Sequence, residues 1–134
     1  MCTADGSGTE CSAVPLSAAG RVELRPRLTH EAFLEAHREV DIALDSYPYH
    51  GTTTTCFSLW MGVPVVCLTG SSHVSRVGST LLSSIGLDTL APCDPEDYVR
   101  TAAALARDPQ RLAALRSGLR ERMLASALTD GAAC

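Results

Sequence analysis

Two short apolar runs, Asp41-Ile42-Ala43-Leu44 and Pro64-Val65-Val66-Cys67-Leu68, frame a loop and a helix-length segment that ends near Met61. Runs this short and this apolar predict strands covered on both faces, as in a parallel sheet. Between them lies His50-Gly51-Thr52-Thr53-Thr54-Thr55. Four β-branched hydroxyl residues in a row suit a helix interior poorly. They suit a helix N-terminus, where hydroxyls cap free N–H groups and Gly51 lets the backbone come close to a ligand. A strand, a glycine and free helix N–H groups make an anion site. Two readings stay open on these residues alone: a phosphate or diphosphate cradle, or threonines that only cap a helix and a turn.

The same alternation runs along the chain. Arg21-Val22-Glu23-Leu24 predicts a short strand that Pro26 ends. Thr29 is a fitting N-cap for a helix over Glu31 to Arg38, with Phe33 and Leu34 toward the sheet. The helix from Thr53 to Met61 stops at Gly62. After the turn Thr69-Gly70-Ser71-Ser72, Val74, Val77, Leu81, Leu82 and Ile85 share one helical face, and Gly86 ends it. Thr89-Leu90-Ala91 suits a short strand. Asp94-Pro95-Glu96-Asp97 and Asp108-Pro109 are helix starts. Leu112, Leu115, Leu119 and Met123 form a packing stripe on the last helix. This order predicts an α/β fold, a Rossmann-like parallel sheet with right-handed crossovers. Ligands in such sheets sit beyond the carboxyl ends of the strands. Both turn-rich loops, Asp45 to Thr55 and Thr69 to Ser72, fall there, which favours the cradle.

The 134 residues suit one domain. Residues 1–20, rich in Gly, Ser, Ala and Thr, read as a disordered leader; residues 21–134 hold the folded part, which ends in two helices. A formal net charge of −4 argues against a nucleic-acid surface. All eleven basic residues are arginine, so no lysine ammonium is available for phosphate or for a Schiff base. The six cysteines form no Cys-x-x-Cys pair and no zinc spacing, so no metal is expected. Cys56 and Cys67 read as small buried hydrophobes. With no signal-peptide pattern and no run long enough to span a bilayer, the expected compartment is a reducing cytoplasm.

Several side chains carry paired readings. His50 either touches phosphate or faces solvent as a turn residue. Arg76, which opens a helix with His73 near the second loop, either meets phosphate or serves the helix surface or a buried pair. Asp45, at a strand's carboxyl end, is a general base or a loop cap.

The words Asp41-Ile-Ala-Leu-Asp-Ser-Tyr-Pro-Tyr-His-Gly-Thr-Thr-Thr, Leu59-Trp-Met-Gly-Val-Pro-Val-Val and Ser75-Arg-Val-Gly-Ser resemble the C-terminal catalytic region of the O-GlcNAc transferase/SPINDLY family, in its bacterial tetratricopeptide-repeat members. The likeness runs from about Arg21 to about Leu128. It implies part of the C-terminal lobe of a GT-B glycosyltransferase, with UDP-GlcNAc (GDP-fucose in SPINDLY-type members) as donor and Ser or Thr of proteins as acceptor. By position it puts Thr52, Thr53 and Thr54 at the diphosphate, Leu28 at the uracil, His30 at a basic nucleotide contact and Phe33 near the base; His50, Gly51 and Arg76 join the candidate UDP-sugar contacts from the reading of the residues themselves, not from the resemblance. The family's acidic ribose contact is Phe57 here, and a phenyl ring cannot accept those hydrogen bonds. The family's pyrophosphate lysine, its N-terminal lobe, its repeats and the first part of the C-terminal lobe have no counterpart in these residues. The resemblance therefore implies a fragment that is inactive alone; the alternative is a non-catalytic nucleotide-binding or protein-interaction module.

Overall fold

A computed structural model describes residues 20–131. The expected leader, apart from Gly20, lies outside the described residues. The elements are α1 (His30–Ala36), β1 (Ala43–Leu44), α2 (Thr53–Trp60), β2 (Val65–Val66), α3 (Val77–Ser84), α4 (Pro95–Ala106) and α5 (Pro109–Leu124). Single 3-10 turns follow α1 (His37–Glu39), precede α3 (His73–Ser75) and precede α4 (Asp88–Leu90).

β1 and β2 pair in parallel, Ala43 opposite Val65 and Leu44 opposite Val66. Beyond β2, Cys67 N–H donates to Leu90 O at 3.1 Å and Thr69 N–H to Pro92 O at 2.8 Å. The strand expected at Thr89–Ala91 is thus a 3-10 turn whose flanking carbonyls still extend the ladder. Pro92 has no N–H to return, so that pairing stays one-sided. The strand expected at Arg21–Leu24 is absent: the stretch is exposed and has no strand beside it among the described residues. The two-sided cover expected for Asp41–Leu44 also fails. β1 is the outer strand, and Leu44 is 60 % exposed.

β2 lies in the middle of the core. Val65, Val66 and Cys67 are buried with Leu59 of α2, Leu82 of α3, Leu105 of α4, and Leu119 and Met123 of α5. The α5 stripe packs as its spacing predicts; Leu112 and Leu115 are half-buried at its start. Gly62 ends α2 with φ +79°, and an added Cβ there would stand 3.2 Å from Arg116 O of α5. The glycine therefore serves both the left-handed turn and the close approach of α5. Arg116 donates to Val40 O and Asp41 Oδ1, and Arg120 lies over the Trp60 ring at 4.5 Å, so α5 clasps both ends of the β1–α2 unit. Asp94 and Asp108 cap α4 and α5 as expected.

Candidate functional site

The loop after β1 is built around Asp45. Its Oδ1 accepts from Ser46 N and Gly51 N, both at 2.9 Å. The Thr55 hydroxyl lies 2.9 Å from Gly51 O and 3.3 Å from Asp45 Oδ2. Asp45 is therefore the loop's cap: Oδ1 takes two backbone N–H groups, and Oδ2 shares the one Thr55 proton with the nearer Gly51 O. Gly51 is required by closeness: a Cβ there would stand 2.2 Å from Thr54 Oγ1.

The threonine run divides at Thr55. Thr55 turns inward and is buried, whereas Thr52, Thr53 and Thr54 are exposed at the first turn of α2. The expected hydroxyl cap is missing: no side chain caps α2. Thr52 has φ −105° and ψ −69°, a helical backbone, whereas the capping residues Thr29 and Asp94 have ψ of 163° and 136°. Only the extended form swings the side-chain oxygen over the following N–H groups. α2 therefore starts with N–H groups that no side chain covers, and with the positive end of its dipole in the open.

His50 does not face solvent. It is 2 % exposed, and its Nε2 lies 2.9 Å from Leu68 O while Gly78 N–H donates to Nδ1 at 3.0 Å. A carbonyl only accepts, so Nε2 carries the proton. His50 N–H also donates to Val74 O. The residue stitches the first loop to the start of α3. Both ring nitrogens are used within the fold, and the ring holds the loop in place. Gly78 is the partner the sequence reading missed. A Cβ on it would stand 2.8 Å from Asp45 Oδ2 and 2.9 Å from His50 Nδ1. The only sequence signal was a glycine in the first turn of a helix, a poor place for one unless something must approach closely.

The second loop leads to the other wall. The helix expected from Val74 breaks at Arg76 (φ −122°, ψ −6°), leaving His73 and Arg76 exposed at its start. A cavity of about 620 Å³ runs between Thr52 and this turn, lined by His73, Arg76, Val77, Thr80 and Leu81. Thr52 and Arg76, far apart in sequence, thus share one cavity. On another flank, α1 sets His30 5.5 Å and Phe33 6.1 Å, centroid to centroid, from the Phe57 ring, both edge-on. Phe57 lies one turn after Thr53, so this aromatic group and Thr53 share a face of α2. Leu28 sits on the exposed lead-in to α1.

Burial pushes the Cys67 thiol up to about 12, with the Asp45 carboxylate adding to the effect. Tyr98 is raised by burial and then by Asp45 and Cys67. Burial also raises Cys56. None of the three is poised as a nucleophile. Among the described residues no group of three or more His, Cys, Asp or Glu could hold a metal ion, and no helix is long and apolar enough to cross a membrane.

Comparison with known proteins gives a consistent result. The model of a family described as glycosyl transferase family 41 matches residues 12–133. A protein of Solanum lycopersicum named probable UDP-N-acetylglucosamine–peptide N-acetylglucosaminyltransferase SPINDLY is 47 % identical over 113 residues, 84 % of this chain and 12 % of that protein. The Caenorhabditis elegans UDP-N-acetylglucosamine–peptide N-acetylglucosaminyltransferase is 32 % identical over 90 residues, 67 % of this chain and 8 % of its own length. A solved structure of a mutant O-GlcNAc transferase of Thermobaculum terrenum superposes with a TM-score of 0.77 at 39 % identity, covering 83 % of this chain and 21 % of that one. The chain thus spans about an eighth of the length of the SPINDLY relative it matches.

Proposed function

The chain belongs to glycosyl transferase family 41, and from that premise we propose that it carries the nucleotide-sugar side of a protein O-linked glycosyltransferase, with the diphosphate seated on the open start of α2. The relatives' names support UDP-GlcNAc as donor and a peptide as acceptor. The carrying observation is the uncapped N-terminus of α2 between the Arg76 cavity and the aromatic group. Sugar transfer leaves charge on the departing diphosphate, and fixed N–H groups aimed at it stabilise that charge without reorganising. Arg76, across the cavity from Thr52, supplies the cation. Phe33 and Phe57 offer apolar edges to the nucleoside, and Phe57 leaves the ribose hydroxyls without the family's carboxylate. His50, Asp45 and Gly78 hold the loop.

Asp45 is committed to the loop, so this stretch contributes binding and leaving-group stabilisation, and by itself does not transfer sugar. The test is titration of the chain with UDP, followed by backbone amide NMR. Shifts should centre on residues 52–55, and Thr53→Ala/Thr54→Ala should weaken binding roughly three- to tenfold, the scale of one or two hydrogen bonds. Equal affinity in the double variant would remove these threonines from the site.

A further inference from the structure

α1 and α2 meet through one buried imidazole. His37, just after α1, is 8 % exposed. Its Nδ1 lies 2.8 Å from Phe33 O, and its Nε2 lies 3.2 Å from Ser58 Oγ. A carbonyl only accepts, so Nδ1 carries the proton and donates to Phe33. In the neutral ring Nε2 is then the acceptor, and the Ser58 hydroxyl donates to it. That hydroxyl has a second acceptor, Thr54 O at 3.0 Å, in the turn that forms the cradle. One proton of Ser58 is therefore shared between the end of α1 and the start of α2. The Phe33 ring, whose own carbonyl His37 holds, stands edge-on to the imidazole at 4.7 Å and to Phe57 at 6.1 Å. Ser58 directly follows Phe57. The two helices that carry the aromatic edges are thus fixed to each other by a bond that involves neither ring's exposed face.

We infer that His37 is a positioning residue for the nucleoside half of a bound nucleoside diphosphate. By bonding Phe33 O and Ser58 Oγ together, it sets the spacing of Phe33 from Phe57, while the diphosphate end rests on the start of α2 and on Arg76, neither of which His37 bonds directly. This rests on the diphosphate reading of α2. A residue that merely filled the core would affect both halves of the ligand equally. A residue that sets α1 against α2 changes nucleoside recognition and leaves pyrophosphate binding in place.

The experiment compares UDP with inorganic pyrophosphate on the full chain and on His37→Leu, His37→Gln and Ser58→Ala, by NMR titration. The His37→Leu chain should lose roughly fivefold in UDP affinity, about the effect of one neutral hydrogen bond, while pyrophosphate changes less than about twofold. His37→Gln, whose side-chain oxygen can still accept from Ser58, should recover most of the loss. Ser58→Ala, the milder change, should shift the same ratio and add nothing in the His37→Leu background. Nitrogen shifts of the His37 ring in the unsubstituted chain should show the proton on Nδ1, a readout that needs no variant to fold. Equal losses for both ligands, an unchanged ratio in Ser58→Ala, or the proton on Nε2 would overturn the inference. An unsubstituted chain that binds neither ligand overturns the cradle reading, and this inference with it.

Discussion

Two turns leave the carboxyl side of the same small parallel sheet, and they treat their hydroxyl groups in opposite ways. The turn after β2, Thr69 to Arg76, satisfies itself. Thr69 Oγ1 donates to Ala91 O, Gly70 N–H to Ser75 O, and Ser75 Oγ, buried, bonds Ser72 N, Ser72 O and Ser72 Oγ. The turn after β1 is held from below by Asp45, His50 and Thr55, and ends in three exposed threonines on an uncapped helix. Both are rich in Ser, Thr and Gly. What separates them is one backbone angle: ψ is 159° at Ser72 and −69° at Thr52. A hydroxyl-rich turn is closed or open to a ligand according to that angle, and composition does not reveal which.

The largest test breaks the stitch between the two turns. His50→Leu removes the ring's bonds to Leu68 O and Gly78 N in a buried place. Each orphaned group costs about 1–3 kcal/mol, so unfolding by denaturant should show a loss of about 3 kcal/mol. A loss under about 1 kcal/mol would mean that the turns are held together by other contacts.

A second test uses pH on the core beneath the open turn. The Cys67 thiol stays protonated in the fold up to about 12, whereas in the unfolded chain it ionises near its ordinary value of 9.0. The unfolded chain therefore sheds its proton first, and stability falls as pH rises from about 9 toward 12. Denaturant midpoints should show a loss of about 1.4 kcal/mol by pH 10 from Cys67, and Cys67→Ala should shrink that limb, leaving the part due to Cys56, which burial also raises. Tyr98, also raised, adds to the fall at higher pH.

The smallest test sharpens the contrast itself. Ser75→Ala should cost about 1 kcal/mol, because the buried hydroxyl serves the closed turn. Thr52→Ala should stay within about 0.5 kcal/mol, because its hydroxyl caps nothing. Thermal melts of the two variants should separate accordingly. Equal melts would show that the two turns are equivalent in stability.

The sequence by itself determined the α/β order, the parallel pairing of the two apolar runs, the Asp-Pro helix starts, the glycine stop at Gly62 and the α5 stripe. Each is a local preference or a periodicity, and such signals survive without knowledge of neighbours. The residues around Gly51 and Ser75 also carry the family likeness in the sequence itself. Tertiary structure decided the rest. Whether a strand is covered depends on what lies beside it, so Leu44 is exposed and Arg21–Leu24 is unpaired. His50 and Gly78 are hydrogen-bonded neighbours only because α3 returns across the first loop, a contact between residues far apart in the chain. The open helix start is a matter of one ψ angle, set by how Asp45 and Thr55 draw the loop inward, and four consecutive threonines carry no mark of which one turns in.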